Sequence, residues 1–156
     1  MTTAALGLLV GLLLMSYGTA VVPLGPPEAY VIALTAAGTG SPLWALAVAG
    51  TAALGQVAGK LTVLLSVRGS LRCSPRWLAR AVPDRLLARV QQRSQAHPRE
   101  LAVLVGVSAL VSVPPLVLVA PAVGTTTMRP RVFAAVGFAG RLARFSALAL
   151  VPALVW

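Results

Sequence analysis

Three long stretches of this sequence carry no charged residue, and they constrain its fold more than any other feature. They are Met1–Pro27, Ala29–Gly59 and Leu101–Met128. A helix needs about 20 mostly apolar residues to cross the hydrocarbon core of a bilayer. The stretches can supply several such helices, so the sequence predicts an all-α integral membrane protein. A soluble fold would leave too much apolar surface in water, which excludes a nucleic-acid-binding protein despite the net charge of +10.

The charged residues are concentrated in one segment, residues 68–100, which holds eight of the thirteen basic side chains. Cytoplasmic loops carry an excess of Lys and Arg, so we expect this segment on the cytoplasmic side. Within it, Arg85, Arg89 and Arg93 share one helix face, and aliphatic side chains share the other. This pattern predicts an amphipathic helix on the membrane surface, in contact with anionic lipid headgroups. An equally weighted alternative is a solvated connector whose arginines only follow the preference of cytoplasmic loops for basic residues.

Proline clusters divide the apolar stretches, because each proline removes a backbone donor and clashes with the preceding turn. The breaks fall at Pro23, Pro26 and Pro27 in the first half and at Pro114, Pro115 and Pro121 in the second. Each half is thus a broken segment followed by an apolar stretch long enough to span. We predict an inverted repeat of two re-entrant hairpins, each followed by a transmembrane helix.

The chain is expected to form a single membrane domain over residues 1–156. Along it we predict a first helix and hairpin (1–42), a transmembrane helix (43–67), a basic cytoplasmic connector (68–100), a second hairpin (101–128) and a second transmembrane helix (132–156). A hairpin is preferred to a full crossing for 101–128, because a crossing would place Arg129 and Arg131 outside.

Three charged residues lie in or between apolar segments, where an ionised side chain has a high free-energy cost. Glu28 follows the first proline break and is the only acid outside residues 68–100. Arg141 and Arg144 are three residues apart in the last apolar stretch, so they can share one helix face. Since ionisable groups inside membrane segments are functional by default, we predict that the three form a site that binds substrate or an ion. The structural alternatives are an interfacial Glu28 and arginines that extend to the surface.

Small residues and the remaining polar residues give three further predictions. Gly55 and Gly59 are spaced to let another helix approach closely, either within the chain or in a homodimer. The Lys60 side chain is expected to extend toward the membrane surface. With one Cys, one His and no P-loop, GxSxG or HExxH motif, the sequence predicts no metal, no cofactor and no enzymatic activity.

Several of these motifs together resemble a known family. They are Pro23–Glu28 with Gly38, Gly55 and Gly59, then Gly124, Met128 and Phe133, then Gly140-Arg141 with Arg144-Phe145. They are similar to those of the DedA proteins, the bacterial members of the SNARE-associated Golgi protein (VTT-domain) family, over roughly Gly18 to Val151. The resemblance implies two facing re-entrant hairpins and lipid translocation across the cytoplasmic membrane of a bacterium. The lipid would be a phospholipid or a polyprenyl-phosphate carrier. Glu28 would match the acidic residue at the end of the family's proline-rich loop.

Two charged positions of the family are absent. An arginine often follows the proline of the second hairpin, where this chain has Leu116, and an acid often follows the glycine of the first spanning helix, where it has Gln56. These departures argue against proton coupling. Two other functions stay open, a small multidrug-export-type transporter and a non-transporting membrane subunit or organiser that binds a partner or anionic lipid.

Overall fold

All regular structure in the described part of the chain is helical. The computed structural model describes residues 3–22, 26–38, 41–69, 98–113, 116–124 and 126–155, and the single positions Arg85, Ala88 and Gln92. Six helices have described bounds: α1 (Thr3–Val21), α2 (Pro27–Ala36), α3 (Pro42–Val67), α4 (Pro98–Val111), α5 (Leu116–Gly124) and α6 (Pro130–Val155).

Three of these helices are long and apolar enough to cross a membrane. They are α1 with 19 residues, α3 with 26 residues, and residues Pro130–Leu150 of α6. At 1.5 Å per residue, α1 is about 28 Å long and α3 about 39 Å, against a hydrocarbon core of about 30 Å. The prediction of an all-α membrane protein is confirmed at this level.

Prolines begin four of the helices, namely α2, α3, α4 and α6. A proline fits the first helical position, because its missing N–H has no partner there and its φ is already helical. The expected break at Pro121 is wrong, since Pro121 lies inside α5. A nine-residue helix has few internal hydrogen bonds, and this proline removes only one of them. Pro23, Pro114 and Pro115 lie outside the described residues.

The chain divides into two compact units, residues 1–59 with 141–156, and residues 60–140. In the first unit, α1 packs directly on α3 through two glycines. A Cβ built on Gly55 would lie 2.6 Å from the carbonyl oxygen of Leu13, and one built on Gly59 would lie 2.8 Å from that of Tyr17. Both glycines therefore act at a helix contact within the chain, and a role in a homodimer stays a prediction.

The same contact of α1 with α3 holds a buried amide. Gln56 Nε2 donates to the carbonyl oxygen of Ser16 and to Thr19 Oγ1, at 3.0 Å each. An amide hydrogen bond between helices is favourable in lipid, because its alternative is an unsatisfied polar group in hydrocarbon. The close approach that the glycines permit is what brings Gln56 within reach of α1.

In the second unit, α5 lies at the centre of the apolar core. Its described side chains are buried apart from that of Leu118, which is half-buried. The core around it contains residues of α3, α4 and α6, namely Val63, Leu64, Leu101, Val105, Ala109 and Phe133. A helix that is apolar on all sides is suited to such a buried position. In the same unit α6 meets α4 at Gly140, where a Cβ would lie 2.8 Å from Ala109 Cβ.

Candidate functional site

The site begins with Glu28 in the first turn of α2. Pro26, in extended conformation with φ −76° and ψ 117°, is the N-cap residue, and Pro27 is the first helical residue. No side chain caps this helix end. A carboxylate in the first turn is favoured by the partial positive charge at a helix N-terminus. The two prolines therefore set where α2 starts and so where Glu28 projects.

Two arginines one turn apart on α6 meet this carboxylate. Arg144 Nη2 lies 3.1 Å from Glu28 Oε1, and Arg141 Nη1 lies 3.8 Å from the same oxygen. The side chains of Arg141, Glu28 and Arg144 are 7%, 20% and 27% exposed. The three residues that the sequence singled out therefore form one ion-pair cluster in the first unit, although its role in binding stays a prediction.

The side chains of Glu28, Arg141 and Arg144 together carry a net charge of +1, because two guanidinium groups share one carboxylate. Within the described residues, Arg141 Nε is buried and has no hydrogen-bond partner. The Arg141 guanidinium also lies over the ring of Phe145, with 5.9 Å from Cζ to the ring centroid. A buried donor without an acceptor is costly, and an excess positive charge in low dielectric even more so. Chemically, the cluster is suited to receive an anionic group that supplies oxygen acceptors.

Lys60 departs from expectation. Its side chain does not extend to the surface, because the residue is only 3% exposed. Residues on the same side of α3, one turn before and one turn after, are also buried, namely Gln56, Val63 and Leu64. Lys60 therefore lies on the packed face of α3.

The surface residues predicted to bind lipid are described only in part. Arg85 is helical and exposed, whereas Arg89 and Arg93 lie outside the described residues. In the described part of the chain, Glu28 pairs with Arg141 and Arg144 and not with Arg85. In the residues with described positions, no group of three His, Cys, Asp or Glu side chains could hold a metal ion.

Sequence reasoning assigned no role to two residues that have long-range hydrogen bonds. One is Gln56, noted only for lacking a charge. The other is Arg68, just after α3, whose guanidinium donates to the carbonyl oxygens of Gly124, Thr126 and Met128. The signal for Gln56 is an amide beside a glycine in an apolar helix. No sequence signal marks the role of Arg68, because its acceptors lie 56 to 60 residues further along the chain.

Comparisons with protein-family models, with curated proteins and with solved structures found no match. The resemblance to DedA proteins therefore stays a prediction.

Proposed function

We propose that this chain is a membrane transport protein that translocates a lipid with an anionic headgroup across the cytoplasmic membrane of a bacterium. Glu28, Arg141 and Arg144 bind the headgroup. The observation that carries the proposal is the pairing of two guanidinium groups, one of them almost fully buried, with a single carboxylate oxygen. An ionised group in a membrane-spanning helix is expensive and is kept where it contacts substrate or a partner charge.

Charge matching favours one class of lipid. A phosphodiester carries a single negative charge and would neutralise the +1 cluster, whereas a phosphate monoester carries about −1.5 to −2 at neutral pH. Arginine suits either group, because its planar fork can donate two parallel hydrogen bonds to phosphate oxygens. We therefore favour a phospholipid over a polyprenyl-phosphate carrier as the substrate.

The helix pattern supports the inverted repeat and the re-entrant hairpins as part of this proposal. The short helices α2 and α5 have 10 and 9 residues, and each precedes a helix of 26 residues that begins with proline. At about 15 Å, neither short helix is long enough to cross a bilayer. Such interrupted segments at matching places in two halves are typical of transporters.

A second similarity between the halves is the way their helices cross. Gly55 of α3 approaches α1 at residues 13, 16 and 17, and Gly140 of α6 approaches α4 at residues 106, 109 and 110. In the first unit a glycine of α3 faces one turn of α1, and in the second unit a glycine of α6 faces one turn of α4. This repeated contact supports the internal repeat, and membership of the DedA family is proposed only on the sequence motifs that resemble it.

Reconstitution in liposomes tests the proposed function. Vesicles with fluorescent phosphatidylglycerol or fluorescent phosphatidylcholine in the inner leaflet are prepared with and without the protein. We expect the protein to equalise leaflet labelling of the anionic lipid, and R141Q to abolish this activity. R131Q is the matched control, because Arg131 is an exposed arginine at the start of the same helix. Equal labelling with and without protein would refute lipid translocation, provided that size-exclusion profiles show folded, reconstituted protein.

The two alternatives make different predictions. A multidrug-export-type transporter binds cations, which a +1 cluster repels. A lipid-binding organiser is supported by the exposed, helical Arg85. For an organiser, E28Q would leave vesicle binding unchanged, whereas the triple change of Arg85, Arg89 and Arg93 to Gln would remove binding to anionic vesicles.

A further inference from the structure

One edge of the Arg141 guanidinium is not used by Glu28. The contact with the carboxylate is at Nη1, which lies 3.8 Å from Glu28 Oε1. The side-on edge of an arginine is formed by the other two nitrogens, Nε and Nη2, which can donate two parallel hydrogen bonds. In the described part of the chain, Arg141 Nε is buried and has no hydrogen-bond partner. Glu28 therefore leaves the side-on edge of Arg141 without an acceptor at Nε.

Little water reaches this edge, because the Arg141 side chain is only 7% exposed. A buried donor that lacks an acceptor has a free-energy cost, and a ligand that supplies the acceptor removes that cost. Arg144 is more exposed, lies 3.1 Å from the same carboxylate oxygen and has a further interaction. The Nε group of Arg141 is thus a donor that a buried ligand can satisfy.

The ring of Phe145 covers one face of the same guanidinium. Arg141 Cζ lies 5.9 Å from the ring centroid, and Phe145 is fully buried. The two residues are four positions apart in α6 and are therefore neighbours on one helix face. An aromatic face attracts a cation, and more strongly when both are out of water. A side chain held in this way loses less conformational freedom when it binds a ligand.

We propose that Phe145 is a positioning residue that holds the Arg141 guanidinium so that its side-on edge receives two oxygens of one anionic group. The two non-bridging oxygens of a phosphodiester match the two parallel donors of this edge. The identity of the ligand as a phospholipid headgroup rests on the proposed function, but the position of the ring over the guanidinium does not.

Nuclear magnetic resonance of the arginine Nε–Hε groups tests the ring contact first. The full chain is studied in dodecyl maltoside, an uncharged detergent without phosphate, and R141Q identifies the Arg141 signal by its loss. F145L removes the ring current and should shift this signal, whereas F145Y should keep it near its original position. The matched control is F133L, the same change at another buried phenylalanine of α6, which lies in the core of the second unit. F133L should leave the Arg141 signal in place.

Titration with dihexanoyl phosphatidylglycerol then tests the side-on edge. We expect the Arg141 Hε signal to move downfield, because a phosphate oxygen accepts a hydrogen bond from Nε. F145L should weaken binding about fivefold or more, since the ring no longer holds the guanidinium. F145Y and F133L should keep the wild-type affinity. F145M replaces F145L if that variant does not fold, because methionine fills irregular gaps in a core.

Each outcome tests a separate part of the proposal. An Arg141 signal that F145L or F145M leaves in place, or a loss of affinity that F133L shares, would overturn the role of Phe145. An Nε–Hε signal that phosphatidylglycerol does not move would overturn the side-on contact, even if the protein translocates lipid. Failed translocation with a signal that phosphatidylglycerol does move would refute only the proposed function.

Discussion

Substituting alanine for Gly55 adds one methyl group at the closest point between α1 and α3. The new Cβ would lie 2.6 Å from the carbonyl oxygen of Leu13 and 2.8 Å from Ser16 Cβ. The first of these atoms belongs to helix backbone, so no side-chain rotation can relieve the contact. The two helices must therefore move apart by about 0.8 Å to reach an ordinary contact distance of 3.4 Å.

That movement also affects the hydrogen bonds beside it. Gln56 Nε2 lies 3.0 Å from both of its acceptors, and a 0.8 Å separation takes these distances past the 3.5 Å at which a hydrogen bond is lost. Overpacking costs about 1–3 kcal/mol, and each lost bond costs about 0.5–1.5 kcal/mol. The higher helix propensity of alanine offsets about 1 kcal/mol of this loss. We expect G55A to lower the free energy of unfolding by about 1–5 kcal/mol.

The measurement is reversible unfolding in mixed micelles, followed by far-ultraviolet circular dichroism as the denaturing detergent is increased. The matched control is G50A, in the same helix, because a Cβ at Gly50 has no neighbour within 4 Å. G50A should leave stability unchanged or raise it slightly. If the unfolding free energies of G55A and G50A agree within about 0.5 kcal/mol, the close contact of α1 and α3 does not exist as described.

Three further changes test other contacts with the same unfolding assay. Q56L removes both hydrogen bonds to α1 and should cost about 1–3 kcal/mol, whereas equal stability would show that the amide is not engaged. R68Q should cost about 2–4 kcal/mol, because it removes a charged donor from three carbonyl groups, and R131Q should cost under about 0.5 kcal/mol. G140A should cost about 1–3 kcal/mol through its contact with α4, and a neutral result would contradict that crossing.

The long helices are predictable because their causes are local. α1 and most of α3 follow from uncharged stretches, α6 follows from an apolar stretch that is long enough to span despite its arginines, and Pro42 and Pro130 stand where α3 and α6 begin. The high cost of Glu28 in an apolar setting is likewise a property of its immediate neighbours. Such features need no knowledge of which segments meet in space.

The remaining features depend on tertiary packing. Whether the Lys60 side chain extends to the surface or is buried depends on which side of α3 other helices cover. The local sequence is the same in both cases, so it does not distinguish them. The donors of Arg68 find carbonyl groups far along the chain, and no spacing rule connects them. The distance from Arg144 to Glu28 likewise depends on how α2 and α6 pack, so the sequence predicted that the three charges form one site but not which atoms pair.

The burial of α5 has a consequence for how the protein is assembled. Its nine residues are about 13 Å long, too short to cross the bilayer, and its described side chains are covered by protein apart from the half-buried Leu118. Its neighbours in the core come from α3 and α4, made earlier, and from Phe133 of α6, made later. The core around α5 is therefore complete only once the chain has been made as far as α6, and a chain that ends before Phe133 leaves one side of this core uncovered.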